Sequence, residues 1–165
     1  MNMTGNFMSL DTREFRNALG QFPTGVCVIT ANPEGYKPFG MTVNSFASVS
    51  LDPALVLWSL RNDSECLDAF NKAKTFTVNV LADDQEALSN QYAKKSDHDL
   101  APEHFRIGKS GAPVLRGVLT SFECESWANY EGGDHIIIVG KVIEMDSKPG
   151  AKPLAFHAGK YCQLR

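Results

Sequence analysis

Residues 118–129 and 136–144 alternate apolar and polar side chains on either side of the turn Glu131-Gly132-Gly133-Asp134. That pattern predicts one long β-hairpin, with Gly140 marking a bulge in its returning strand. A second hairpin is legible near the start of the chain. Val26-Cys27-Val28-Ile29-Thr30 is β-branched and apolar, Asn32-Pro33-Glu34-Gly35 is turn chemistry, and residues 39–44 return. The continuous apolar run 54–60 after Asp52-Pro53 predicts a strand buried on both faces, and Phe76-Thr77-Val78-Asn79-Val80 predicts another.

Helices are few and short. Ser9 to Glu14 supplies capping residues ahead of an apolar face made by Phe15, Ala18 and Leu19, with Gly20 as the stop. Asp63-Ser64 caps a helix carrying Leu67 and Phe70, and Asp83-Asp84 precedes one that turns Leu88 and Tyr92 inward. Residues 94–103 read as an exposed polar loop rather than a domain linker, so residues 1–165 are expected to form a single domain, with 1–9 as a flexible N-terminus. Antiparallel strands without β-α-β alternation argue for a mainly β fold, a closed barrel with a few helices.

Composition removes several function classes. The chain has 165 residues, a formal net charge of -3, and no block of basic residues, which argues against nucleic acid as a partner. No apolar run reaches the roughly 20 residues of a membrane span, and the start lacks signal-peptide character, so a soluble, cytoplasmic protein is expected. Cys27, Cys66, Cys124 and Cys162 form no C-x-x-C pair, and no histidine pair has helical metal spacing, so no metal site is expected. Cys27 and Cys124 read as small buried hydrophobes, Trp58 and Trp127 as core, and His98, His104 and His157 as solvated or capping groups. Neither a G-x-G-x-x-G turn nor a Walker loop is present.

The least ordinary stretch runs from Gly40 to Ser50, Gly-Met-Thr-Val-Asn-Ser-Phe-Ala-Ser-Val-Ser, where hydroxyl and amide side chains crowd the exit of a strand. Such residues suit either the polar edge of a heterocycle and a phosphate, or a loop rich in Ser/Thr turns. Phe22-Pro23-Thr24-Gly25-Val26 followed by this stretch and Leu51-Asp52-Pro53 resembles the N-terminal half of the flavin reductase-like family. The resemblance continues through residues 76–81, Gly133-Asp134-His135 and Gly159-Lys160-Tyr161, covering nearly the whole chain from Phe15.

That resemblance implies an FMN-binding split β-barrel, a homodimer, and the reductase component of a two-component flavin-dependent monooxygenase. It implies that Thr42, Val43, Asn44 and Ser45 line an isoalloxazine, with Ser48, Val49 and Ser50 near the ribityl-phosphate end. Ser59, Leu60 and Arg61 match the family's second flavin-contacting stretch, Ala93 and Lys94 approach the phosphates, and Tyr161 joins the cofactor-binding set. His135 is implied to meet the nicotinamide. The expected activity is hydride transfer from NADH or NADPH to FMN or FAD, with reduced flavin passing to an oxygenase partner. Two other readings stay open: a flavin-binding electron carrier without nicotinamide activity, and a split-barrel protein using haem or a deazaflavin.

Overall fold

The computed structural model describes residues 10–164; the expected flexible segment 1–9, and Ser9 as a cap, lie outside the described residues. Asp11 starts α1 (Thr12–Leu19), its carboxylate accepting the Arg13 and Glu14 amides at 2.9 and 2.8 Å. Strands β1 (Thr24–Gly25), β2 (Cys27–Ala31), β3 (Phe39–Val43), β4 (Ala47–Leu51) and β5 (Ala54–Arg61) follow. Next come α2 (Leu67–Lys72), β6 (Thr75–Val80) and α3 (Glu86–Tyr92). A 3-10 turn at Pro102–His104 leads into β7 (Phe105–Ile107) and β8 (Pro113–Leu115). The chain ends with the long pair β9 (Thr120–Gly132) and β10 (His135–Ser147), then β11 (Ala155–His157) and β12 (Lys160–Cys162).

Seven strands form one antiparallel sheet in the order β3-β2-β6-β9-β10-β5-β4. Its two edges, β3 and β4, are consecutive in the chain and separated only by Asn44, Ser45 and Phe46. Four Cα steps reach at most about 15 Å, whereas seven flat strands would hold their edges roughly 29 Å apart. The sheet must therefore curl until its edges approach. It does not close: no ladder joins β3 to β4 among the described residues, so the closed barrel expected from strand count is a split one.

The curl encloses a core of Ile29, Val56, Trp58, Leu60, Phe76 and Ile138. Trp58 meets Phe70 and Phe76 edge-on, with ring centroids at 4.8 and 6.0 Å. A second cluster, including Val28, Leu81, Tyr92 and Leu115, fills the other face of β2 beneath α3 and β8. All five residues of β2 are buried for that reason. Asn79 ties these layers together: its amide donates to the Val28 carbonyl and to Thr30 Oγ1, both at 3.0 Å, and its oxygen accepts the Leu115 amide at 2.9 Å.

Four local expectations need correction. Trp127 sits at a register shift of β9 and is 53% exposed, because the bulge opposite Gly140 turns it outward. β5 is buried on one face only, with Leu55 and Leu57 half-covered. Asp63 does not cap α2; it pairs with Arg61, and Ser64 Oγ accepts the Cys66 amide instead. α3 starts at Glu86 after Gln85, whose side chain accepts the Ala82 amide, and neither Asp83 nor Asp84 caps it.

The bulge expected in the returning strand at Gly140 lies instead on the facing strand: Val139 pairs with Ala128 and Gly140 with Ser126, leaving Trp127 of β9 as the extra residue, while the extra residue of β10 is Ile143. A Cβ on Gly140 would lie 2.4 Å from Phe76 Cζ and 2.9 Å from Cys124 Cβ, so the glycine is required by close packing. Gly140→Ala is expected to destabilise the protein by about 1–3 kcal/mol, read as a lower urea midpoint; an unchanged midpoint would mean that Phe76 moves aside freely.

Candidate active site

The split opens into a cleft of about 560 Å³, a volume in the range of small-molecule sites. The ends of β3 and β5, the crossing residues Asn44 and Ser45, the first residue of β10, and the loop after α3 supply its walls. Thr42, Val43, Asn44, Ser45, Ser59, Leu60, Arg61, Ala93, Lys94 and His135 all line it. Residues far apart in sequence thus meet in one cleft.

Two of the wall side chains are held by identifiable hydrogen bonds. Thr42 Oγ1 donates to the Ser89 carbonyl at 2.7 Å, fastening β3 to α3. Ser45 Oγ accepts the Ser59 amide at 2.9 Å and donates to the Ser59 carbonyl at 3.3 Å, so one hydroxyl extends the β4–β5 ladder to the edge of the split. Asn44 remains exposed on the wall.

At the mouth, the β5–β10 register places His135 opposite Arg61. Arg61 makes a two-pronged contact with Asp63, 2.8 Å on each prong, which holds the Asp63 carboxyl below its ordinary range. His135 Nδ1 donates to Asp134 Oδ1 at 2.7 Å, lowering the Asp134 carboxyl pKa, and the Asn62 side chain donates to the Gly133 carbonyl at 3.1 Å. With Nδ1 committed to Asp134, Nε2 is the ring nitrogen left for a ligand.

Ser48, Val49, Ser50 and Tyr161 do not line this cleft. The first three lie on β4, the strand across the split. Tyr161 shares a 2.8 Å hydrogen bond with Ser89 Oγ and donates to Asn90 Oδ1 at 3.2 Å, standing behind the helix that anchors Thr42.

Several contributors escaped the sequence reading. Met41, Asp63, Ser64, Glu65, Lys95 and His98 also face the cleft. His98 is no solvated loop group; its side chain is 17% exposed, and Nδ1 lies 3.2 Å from the Gly40 carbonyl. His104 is likewise engaged, with Nδ1 2.7 Å from the Tyr92 hydroxyl. No local pattern announces these residues, because a loop far from them in sequence folds back onto β3.

Burial pushes the Cys27 and Cys124 thiols up to about 12 and the Cys66 thiol to about 11, so all three stay protonated near neutrality. Arg61, Lys94 and Lys95 supply positive charge at the cleft, and neither lysine has an ion-pair partner among the described residues. Small hydroxyl and amide groups, a histidine and free cations suit a flat polar heterocycle carrying an anionic tail.

Known proteins share both the sequence and the fold. The chain is 47% identical over 154 residues to the FMN reductase (NADH) SmoA of Agrobacterium fabrum, an alignment covering 92% of this chain and 85% of that one. The solved structure of the flavin reductase PheA2 superposes with a TM-score of 0.86 at 37% identity, covering 94% of this chain and 99% of that chain. The Streptomyces globisporus NADH:FAD oxidoreductase SgcE6, solved with NAD and FAD fragments, gives a TM-score of 0.88 at 36% identity over 94% and 93% of the two chains. Residues 19–165 match the family described as the flavin reductase like domain, and the chain belongs to that family.

Proposed function

We propose that the protein is an NAD(P)H:flavin oxidoreductase that reduces FMN or FAD by hydride transfer and supplies reduced flavin to a partner monooxygenase. The observation that carries this reading is the cleft itself, where the β3 exit, the β5 exit, His135 and the lysine loop converge. Relatives named as an NADH-dependent FMN reductase and as the reductase component of a trigonelline monooxygenase support both halves of it.

A bound flavin supplies the two-electron chemistry, and the protein supplies position and charge. Thr42, Val43, Asn44 and Ser45 would hold the ring system, with Ser59 and Leu60 forming the facing wall. Lys94 and Lys95 would offset the phosphate charge. Ser48, Val49, Ser50 and Tyr161 belong to the same proposal as outer contributors, β4 from across the split and Tyr161 through Ser89.

His135 would orient the nicotinamide. Asp134 fixes the imidazole so that Nε2 is presented to the cleft mouth, where it can accept from a carboxamide or, when protonated, donate to a phosphate. No side chain need act as a nucleophile, which agrees with thiols held protonated by burial.

We further propose a homodimer in the cytoplasm. α1 is amphipathic yet buries none of its residues: Phe15 is 50% and Leu19 59% exposed, and nearby Phe22 is 76% exposed. An apolar face of that kind suits a second copy of the chain. No helix among the described residues is long and apolar enough to cross a membrane.

Three measurements test this reading. NADH absorbance should fall steadily with protein plus FMN or FAD; flavin binding without NADH oxidation would favour an electron carrier, and a haem or deazaflavin spectrum in purified protein would favour another ligand. Sedimentation should show a dimer at micromolar concentration, and a monomer binding flavin at full strength would remove the shared interface. His135→Ala should slow reduction of bound flavin by on the order of a hundredfold while leaving flavin affinity nearly unchanged. A wild-type rate at every NADH concentration would leave His135 as a hairpin residue only.

A further inference from the structure

Lys94, Lys95 and His98 line one wall of the cleft, and a side chain from another part of the chain holds their loop there. Glu65, immediately before α2, accepts the Ser96 amide at 2.7 Å through Oε2 and the Ser96 hydroxyl at 3.3 Å through Oε1. Ser96 has a φ of 59°, the left-handed region that non-glycine residues seldom enter without local compensation. Two residues on, His98 Nε2 lies 3.6 Å from Glu65 Oε2, while its Nδ1 meets the Gly40 carbonyl and its own carbonyl accepts the Gly40 amide at 2.9 Å. The loop is thus pinned at Ser96 by Glu65 and at His98 by both Glu65 and β3. Lys94 and Lys95, directly before the first pin, carry the cations that have no ion-pair partner among the described residues.

We propose that Glu65 is a positioning residue that sets the lysine loop for the phosphate end of a flavin. The proposal rests on the flavin reading of the cleft and adds a role for an acidic residue in an anion site. Its sign is informative. If Glu65 acted only as a nearby negative charge, removing it would tighten binding of a phosphorylated flavin. If it positions the lysines, removing it weakens that binding, and a flavin without phosphate is unaffected.

The test compares FMN with riboflavin, which carries no phosphate, by fluorescence titration of the intact protein. Wild type should prefer FMN, and replacing both Lys94 and Lys95 with alanine should abolish the preference. Glu65→Ala should weaken FMN binding about tenfold, the scale of one charge-assisted hydrogen bond, with riboflavin affinity unchanged. Glu65→Gln keeps an acceptor for the Ser96 amide and should stay within about threefold of wild type. In the double-lysine background, Glu65→Ala should have no further effect on FMN.

An unchanged or tighter FMN affinity in Glu65→Ala overturns the positioning role, as does an equal loss for FMN and riboflavin. Should Glu65→Ala fail to fold, Glu65→Lys takes its place: the retained preference for FMN that added positive charge alone predicts would overturn the role, and a lost preference would support it. Wild-type protein that binds neither flavin overturns the reading of the cleft itself. Wild-type protein whose FMN preference survives in Glu65→Ala overturns the Glu65 role alone.

Discussion

Three residues, Asn44 to Phe46, carry the chain from one edge of a seven-stranded sheet to the other, and that short crossing shapes everything near the site. A connection this short is compatible with this strand order only if the sheet curls, and a curled sheet with unpaired edges leaves a gap between them. Ser45 tethers the crossing to β5 by exchanging hydrogen bonds with the Ser59 backbone, continuing the β4–β5 register. Phe46 turns inward and stacks on Phe122 at 5.8 Å, anchoring the crossing to β9. The cleft is therefore a consequence of topology, and two of the three crossing residues, Asn44 and Ser45, also line it.

Much of this was legible in the sequence because period and turn chemistry act locally. The β9–β10 hairpin and its glycine turn follow from alternation and turn chemistry, and Gly140 marks a register shift whose extra residue lies on the facing strand. Ten of the fourteen expected site residues meet in the cleft, through motif resemblance rather than through any pattern that geometry alone would reveal. Glu65 and His98 were illegible because their partners, Ser96 and Gly40, are brought near by tertiary folding. Trp127 misled for a related reason: in an alternating strand its face is set by parity, and a bulge reverses parity.

The walls are backed by hydrogen-bonded polar groups as well as by apolar packing. Thr42 is fixed through Ser89, Ser89 is braced by Tyr161, and Asn79 completes a buried set joining β2, β6 and β8. Each of these groups would be costly to bury unpaired, so their hydrogen bonds select one arrangement of the sheet. A site whose task is to hold two planar reactants at a fixed separation gains from that selectivity, because hydride transfer tolerates little misplacement.

The charge arrangement then explains how an acidic protein can present an anion site. The chain carries a formal net charge of -3, yet the cleft lining holds three cations, Arg61, Lys94 and Lys95, against two carboxylates, Asp63 and Glu65. Screening over about 8 Å at physiological ionic strength lets the local balance outweigh the distant surface. Within that balance the pairing is uneven. Arg61 is engaged on two prongs by Asp63, and Glu65 is engaged by the Ser96 amide and hydroxyl, so both carboxylates already have partners. A phosphate approaching Arg61 must compete with Asp63 at 2.8 Å, whereas one approaching Lys94 or Lys95 displaces no ion pair. The unpaired positive charge that an incoming anion meets is therefore concentrated on the lysine loop, while Arg61 stands opposite His135 already paired with Asp63.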